Sequence, residues 1–181
     1  MKKIKIFLAI MLITPFLSMK IANTELVTKQ LANGKISVKI PANFKEMTKQ
    51  EKVLAFSRQN SPEAAYVNES KTVFVTIKQE LTKPATQEVI EYYKDKYVEV
   101  NNYFAKCTDS GFFTKGNKKY AFVKVEGLKK GKQKNETVYT EVSFTDAAGY
   151  ILECRFYCPA DKAEQWKPIA DKIIRSFSVN E

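Results

Sequence analysis

A chain of 181 residues with a net charge of +10 and not one histidine is bounded first by what it lacks. Without imidazole there is no Ser-His-Asp or Cys-His nucleophile, no His-ligated zinc or iron site and no histidine pH switch. The first 22 residues hold four of the lysines and no acid, so the remainder carries about +6, which favours solubility and loose attraction to anionic surfaces without implying nucleic acid.

The chain opens on Lys2, Lys3 and Lys5, an apolar run from Ile6 to Leu17 and a short Ser/Lys/Ala stretch. That order is the pattern of a secretory signal peptide, and the apolar run is too short to span a membrane comfortably. The expectation is export to the periplasm or the medium, with cleavage near Ala22 and a single domain over residues 23–181. No cysteine precedes Cys107, so a lipid-anchoring cysteine is not expected.

Two short runs, Leu26 to Leu31 and Ile36 to Ile40, flank Asn33-Gly34, a pair that tolerates positive φ at both centres of a hairpin turn. The spacing sets Leu31 opposite Ile36 and Val27 opposite Ile40. Thr48 and Glu51 have capping-box spacing and predict a short helix to Phe56. Ala64 to Val67 and Thr72 to Lys78 read as strands, with Val73, Val75 and Ile77 alternating inward. From Thr86 the period changes to about 3.6, and Val89, Tyr93, Tyr97, Val100 and Phe104 mark the packed stripe of the longest helix.

Four strands follow, Cys107 to Thr114, Lys119 to Gly127, Glu136 to Thr145 and Tyr150 to Cys158. Gly111 to Lys118 spaces two glycines like a phosphate-binding loop but has Asn117 where the lysine should be, and reads as a hairpin. In the last hairpin, Asp146 opposite Tyr150 leaves the loop Ala147-Ala148-Gly149, with Gly149 in the left-handed position. That register puts Val138, Thr140, Val142 and Phe144 against Cys158, Phe156, Cys154 and Leu152 as core. It puts Tyr139, Tyr157, Glu141 and Arg155 together on the other side, which with Phe122 and Lys124 makes either an open candidate binding face or a surface under the long helix.

Cys154 and Cys158 lie four residues apart on one strand, about 13 Å, too far to bridge, and Cys107 begins a strand three ladders away. No disulfide and no metal site are expected, and the thiols act as small buried hydrophobes. The C-terminus predicts a helix from Asp161 to Arg175 with Trp166, Ile169, Ile173 and Phe177 inward, bent or restarted at Pro168, and then a short terminal strand.

The element order, the Ile40-Pro41 strand end, the Trp-x-Pro at Trp166 and the Ile173-Ile174-Arg175-Ser176-Phe177 ending together resemble the PsbP-like superfamily over about Leu26 to Val179. The resemblance implies an α+β fold, an antiparallel sheet of six to seven strands sandwiched between the long helix and the terminal helix. The known activities do not transfer with it. No residue set matches a Ran-contacting surface, and photosystem metal or chloride handling involves histidines that are absent here.

These readings favour an exported, monomeric, non-enzymatic binding or accessory domain with no catalytic residues and no cofactor, contacting an extracytoplasmic protein or a small amphiphile and no nucleic acid. An alternative is electrostatic docking on anionic lipid, polysaccharide or an acidic partner through Lys129, Lys130, Lys132 and Lys134 at a hairpin tip. An enzyme would have to draw on carboxylates alone, Glu141 or Glu153, and charges paired along strands are ordinarily structural.

Overall fold

The computed structural model describes residues 24–56, 60–80, 86–103, 105–130, 135–147 and 149–180. The expected leader, its cleavage point at Ala22, and Lys132 and Lys134 lie outside the described residues, as do the side chains of Lys129 and Lys130.

The first hairpin pairs β1 (Leu26–Leu31) with β2 (Ile36–Pro41) in the predicted register, Leu31 opposite Ile36 and Val27 opposite Ile40. Asn33 and Gly34 take φ of 55° and 84°, and the Lys35 amide donates to the Ala32 carbonyl, closing the turn. After the two-residue β3 (Lys45–Glu46), helix α1 (Lys49–Phe56) starts on the capping box: the Thr48 amide donates to a Glu51 carboxylate oxygen at 2.9 Å, and the Glu51 amide to Thr48 Oγ1 at 3.3 Å. The Thr48 backbone amide, followed by Lys71, holds the Glu51 carboxyl below its ordinary range. β4 (Ala64–Val67) and β5 (Phe74–Glu80) follow.

Helix α2 (Gln87–Asn102) is capped by Thr86. Its packed stripe is Val89, Ile90, Tyr93, Tyr97 and Val98, whereas Val100, predicted to face inward, is 54% exposed. The stripe therefore follows the true 3.6-residue period from Ile90, and a spacing anchored on Val100 drifts off it. Phe104 lies outside the described residues. The four long strands are β6 (Ala105–Lys115), β7 (Lys118–Lys130), β8 (Asn135–Ala147) and β9 (Tyr150–Pro159). A 3-10 turn at Ala160–Lys162 leads into α3 (Ala163–Ser176), and β10 (Ser178–Val179) ends the order. Of the bend or restart expected at Pro168, the restart does not occur: Pro168 lies inside α3 and the helix continues to Ser176. A proline costs it a single bond to the carbonyl one turn back, against the burial of Trp166, Ile169 and Ile173 on its apolar side.

The large sheet has the order β3-β4-β5-β9-β8-β7-β6, and a separate small sheet the order β1-β2-β10, every described pair being antiparallel. The sheet sandwiched between long and terminal helices is thus present. α2 packs on β6, β7 and β8, while α3 packs on β9 and β8 and reaches β2. One core lies between α3, β2 and one face of the large sheet, holding Trp166, Ile173, Phe177, Phe156 and Ile40. A second lies between α2 and the opposite face, around Ile90, Val123, Val142 and Phe144.

The last hairpin corrects the predicted register by one residue. Ala147, not Asp146, pairs with Tyr150, so the loop is Ala148-Gly149 and Gly149 takes a φ of 85°. Tyr139, Glu141, Ser143 and Thr145 therefore oppose Cys158, Phe156, Cys154 and Leu152. Because side chains alternate along a strand, one residue of slip moves every β8 side chain to the other partner set.

Candidate functional site

That slip divides the predicted binding face between the two sides of the sheet. Phe122 pairs with Ser143, Lys124 with Glu141 and Glu126 with Tyr139, so Phe122, Lys124, Tyr139 and Glu141 lie on the face that α3 covers. Arg155 and Tyr157 pair with Val142 and Thr140 and lie on the opposite face, under α1 and α2.

The α3 side is closed. Glu141 is fully buried, its Oε2 accepting from the Tyr139 hydroxyl at 3.0 Å and its Oε1 lying 3.6 Å from Lys124 Nζ without a hydrogen bond. Burial pushes the Glu141 carboxyl up to about 7, against the opposing pull of Lys124 and Tyr139. Lys124 is the hub of this patch, 3.1 Å from Asp171 and 3.8 Å from Asp109 as well. The group is a polar network beneath a helix, with Glu141 and Tyr139 buried at its centre.

The α2 side is open for half its length. β8 has 13 residues, roughly 40 Å at about 3.3 Å each, while the 16 residues of α2 span about 24 Å at 1.5 Å each. α2 stops at Asn102, and α1 stands over the β4–β5 edge with no buried residue of its own. Between the two helices lies a cleft of about 770 Å³. Its floor is the exposed end of β9, β8, β7 and β5, including Tyr157, Arg155, Thr140, Val138, Val125 and Thr76.

An aromatic cluster forms one wall. Tyr157 stacks on its cross-strand partner Phe74 with ring centres 4.7 Å apart, and Phe56 from α1 meets both rings edge-on at 5.8 and 6.4 Å. Phe56 packs α1 against the sheet. On the other wall Tyr93 and Tyr97 pack edge-on against Phe144, and Tyr97 also faces the cleft. The stripe read as core from sequence is core along most of α2, and at Tyr97 it also becomes cleft lining.

The floor carries an ion pair. Arg155 Nη2 lies 2.8 and 2.9 Å from the two carboxylate oxygens of Glu153, two residues away on the same face, and the guanidinium sits 5.7 Å from the centre of the Tyr97 ring. Glu153 is 2% exposed, whereas 36% of the Arg155 side chain is open, so the arginine covers the acid and presents its own outer surface. Its Nε is buried without a hydrogen-bond partner. Burial works against the charged guanidinium, but Glu153, with Tyr97 and Tyr93, more than offsets it and the Arg155 pKa is raised. Lys78 pairs across the ladder with Glu153, so two cations and one carboxylate line the cleft, a net +1.

Sequence reasoning missed Phe56, Phe74, Thr76 and Lys78 here. The signal was present on β5, where Phe74, Thr76 and Lys78 alternate with the inward set Val75 and Ile77 and must occupy the opposite face. Cys107, Cys154 and Cys158 are free thiols, Cys154 and Cys158 buried in the α3-side core and Cys107 at the α2 side. Among the described residues no three of Cys, Asp and Glu gather into a metal-ligand set, and no helix is long and apolar enough to cross a membrane.

Neither a family model nor a curated protein sequence matches the chain. Solved structures do. Cyanobacterial PsbP from Synechocystis is similar at a TM-score of 0.58 and 10% identity, covering 87% of this chain and 94% of its own. The Ran-binding protein Mog1p of Saccharomyces cerevisiae superposes at 0.51 and 15% identity, over 87% and 96%. LpqN of Mycobacterium tuberculosis, described as involved in cell envelope biogenesis, superposes at 0.51 and 11% identity, over 88% and 92%. At such identities the likeness speaks for architecture, and that architecture is the PsbP-like fold.

Proposed function

We propose that this chain is an exported binding domain, without catalytic chemistry, that holds a small amphiphile in the cleft between α1 and α2. The single observation that carries this reading is the half-covered sheet face. An apolar floor of Val125 and Val138 and the rings of Phe56, Tyr97 and Tyr157 surround two partly open cations, Arg155 and Lys78. The volume of about 770 Å³ lies within the range of small-molecule sites, and such sites combine apolar walls with few orienting polar groups. The net +1 favours a ligand with one negative charge at its polar end, its apolar body on the rings. The buried Glu141 lacks access to any ligand, and Glu153 is covered by Arg155, which argues against either as an acid or base.

The amphiphilic anion 1-anilinonaphthalene-8-sulfonate is a suitable probe. Its emission should rise saturably on the native chain, and Val138→Glu, which places a like charge on the floor, should weaken binding about tenfold or more, roughly 1.4 kcal/mol. An unchanged near-UV circular dichroism spectrum is the required companion, since loosened cores also bind this dye. No saturable response, or equal binding by Val138→Glu, would remove the proposal. Export rests on the leader pattern, and the mass of the mature product should correspond to a chain beginning at Asn23.

A further inference from the structure

A second concavity, about 510 Å³, lies on the far side of the molecule, where the small sheet meets the C-terminal end of α3. Lys39 from β2, Lys115 from the end of β6, and Lys172 and Arg175 from α3 line it with Thr28, Ser37 and Ser176, and no carboxylate is among its lining residues. Four cations from three separate elements converge there although like charges repel.

The negative end of α3 accounts for part of this. Lys115 Nζ donates to the carbonyl of Ser176 and lies 3.5 Å from that of Phe177, so it caps the helix. An ammonium has three protons, and two are spoken for. Burial and then the neighbouring Lys39 lower the Lys115 pKa.

Arg175 is held differently. Its guanidinium lies 4.5 Å from the ring centres of both Phe113 and Phe122, and it lines the concavity. Its nearest acid, Asp171, stands 3.7 Å from Nε and is itself bound at 3.1 Å by Lys124. Lys39 and Lys172 are exposed and form no ion pair among the described residues, so the helix end does not explain them. The walls are fixed, because the Lys39 amide donates to Ser176 Oγ at 2.8 Å and that hydroxyl to the Ile173 carbonyl at 2.6 Å.

We infer that this pocket binds a phosphate group, as inorganic phosphate or as a phosphate monoester, with Lys39, Lys115, Lys172 and Arg175 as its donors. A multiply charged anion answers four converging cations better than a carboxylate does. A phosphate monoester is close to a dianion at neutral pH, with three acceptor oxygens that a planar guanidinium and several ammonium groups can share. The site is independent of the amphiphile cleft, and either can fail without the other.

The test is an amide-resonance titration of the purified, isotope-labelled chain at pH 7, with chloride matched for ionic strength. Inorganic phosphate should give saturable shifts concentrated at Lys39, Lys115, Lys172, Arg175 and Ser176. In K39Q/K172Q the affinity should fall about tenfold or more, while the charge-matched control K49Q/K106Q should stay within about twofold. Arg175→Gln, read the same way on a chain whose spectrum remains folded, should also weaken it. Tighter binding of glycerol 3-phosphate than of inorganic phosphate would establish the monoester as the preferred form, and weaker binding the free ion. Shifts that chloride reproduces, or an affinity unchanged in K39Q/K172Q, would overturn the site. So would retention on phosphatidic-acid vesicles without a response to either soluble phosphate, which would leave only a charged surface.

Discussion

The two faces of the large sheet are made by the same strands and end up unlike. On the α3 face, the helix and the small sheet together cover the strands, and Phe156, Cys154, Ile173 and Phe177 are at most 0% exposed. On the α2 face, the helix shields Val123, Val142 and Phe144 and then stops, leaving Val138, Thr140, Arg155 and Tyr157 partly open beside an α1 that has no fully buried residue. Alternating residues on one strand thus meet either a closed core or a cleft, and what decides is the length and placement of the covering helix. The expectation is that truncation costs most on the closed side, and that the proposed ligand enters on the open one.

The strongest way to break this contrast is to truncate each side. Ile173→Ala removes a fully buried side chain under α3 and should cost about 2–5 kcal/mol in denaturant unfolding. Leu54→Ala, on α1 and 80% exposed, should cost no more than about 0.5 kcal/mol. Comparable losses at the two positions would show that α1 is as integral as α3.

The buried carboxylate sharpens the comparison next. Glu141, raised to about 7 by burial and facing Lys124, Tyr139 and the more distant Asp171, holds its proton in the folded chain after the unfolded chain has released its own. Between pH 4.5 and about 7 the native state binds more protons, so stability should fall as pH rises through that window, by on the order of 3 kcal/mol, and then level off. Glu141→Gln should flatten that slope and unfold later than the parent at pH 8. A pH slope that survives the substitution would assign it to other groups.

The smallest effect is local. Thr48→Ala removes the side-chain half of the α1 cap, and amide exchange along Lys49–Phe56 should speed up about fivefold while global unfolding barely moves. A matching loss of global stability would mean that α1 does not open independently of the sheet.

Much of this fold was legible in the sequence. The Asn33-Gly34 turn, the Thr48/Glu51 cap, the period change at Thr86 and the terminal apolar helix are local signals, each written within a dozen residues, and each element forms where they place it. The candidate site was not legible in the same way. The apolar set of β9, Leu152, Cys154, Phe156 and Cys158, packs in the α3-side core, while the apolar residues Val142 and Phe144 of β8 pack in the α2-side core, so matching apolar to apolar across the pair selects a register one residue off. Gly149 suited either loop, because both want a left-handed residue there. The choice fell to the β5–β9–β8 ladders, which seat Arg155 beside Val142 and Thr76 and send Glu141 beneath α3.

By itself, then, the sequence determined which segments become helix or strand, the order in which they follow, and the absence of imidazole chemistry, since these depend on neighbours along the chain and on composition. Only the tertiary structure decided which side of the sheet each charged or aromatic residue faces, where the cover ends, and which lysines from distant elements converge. Those are outcomes of ladder register and helix packing, and no local pattern contains them.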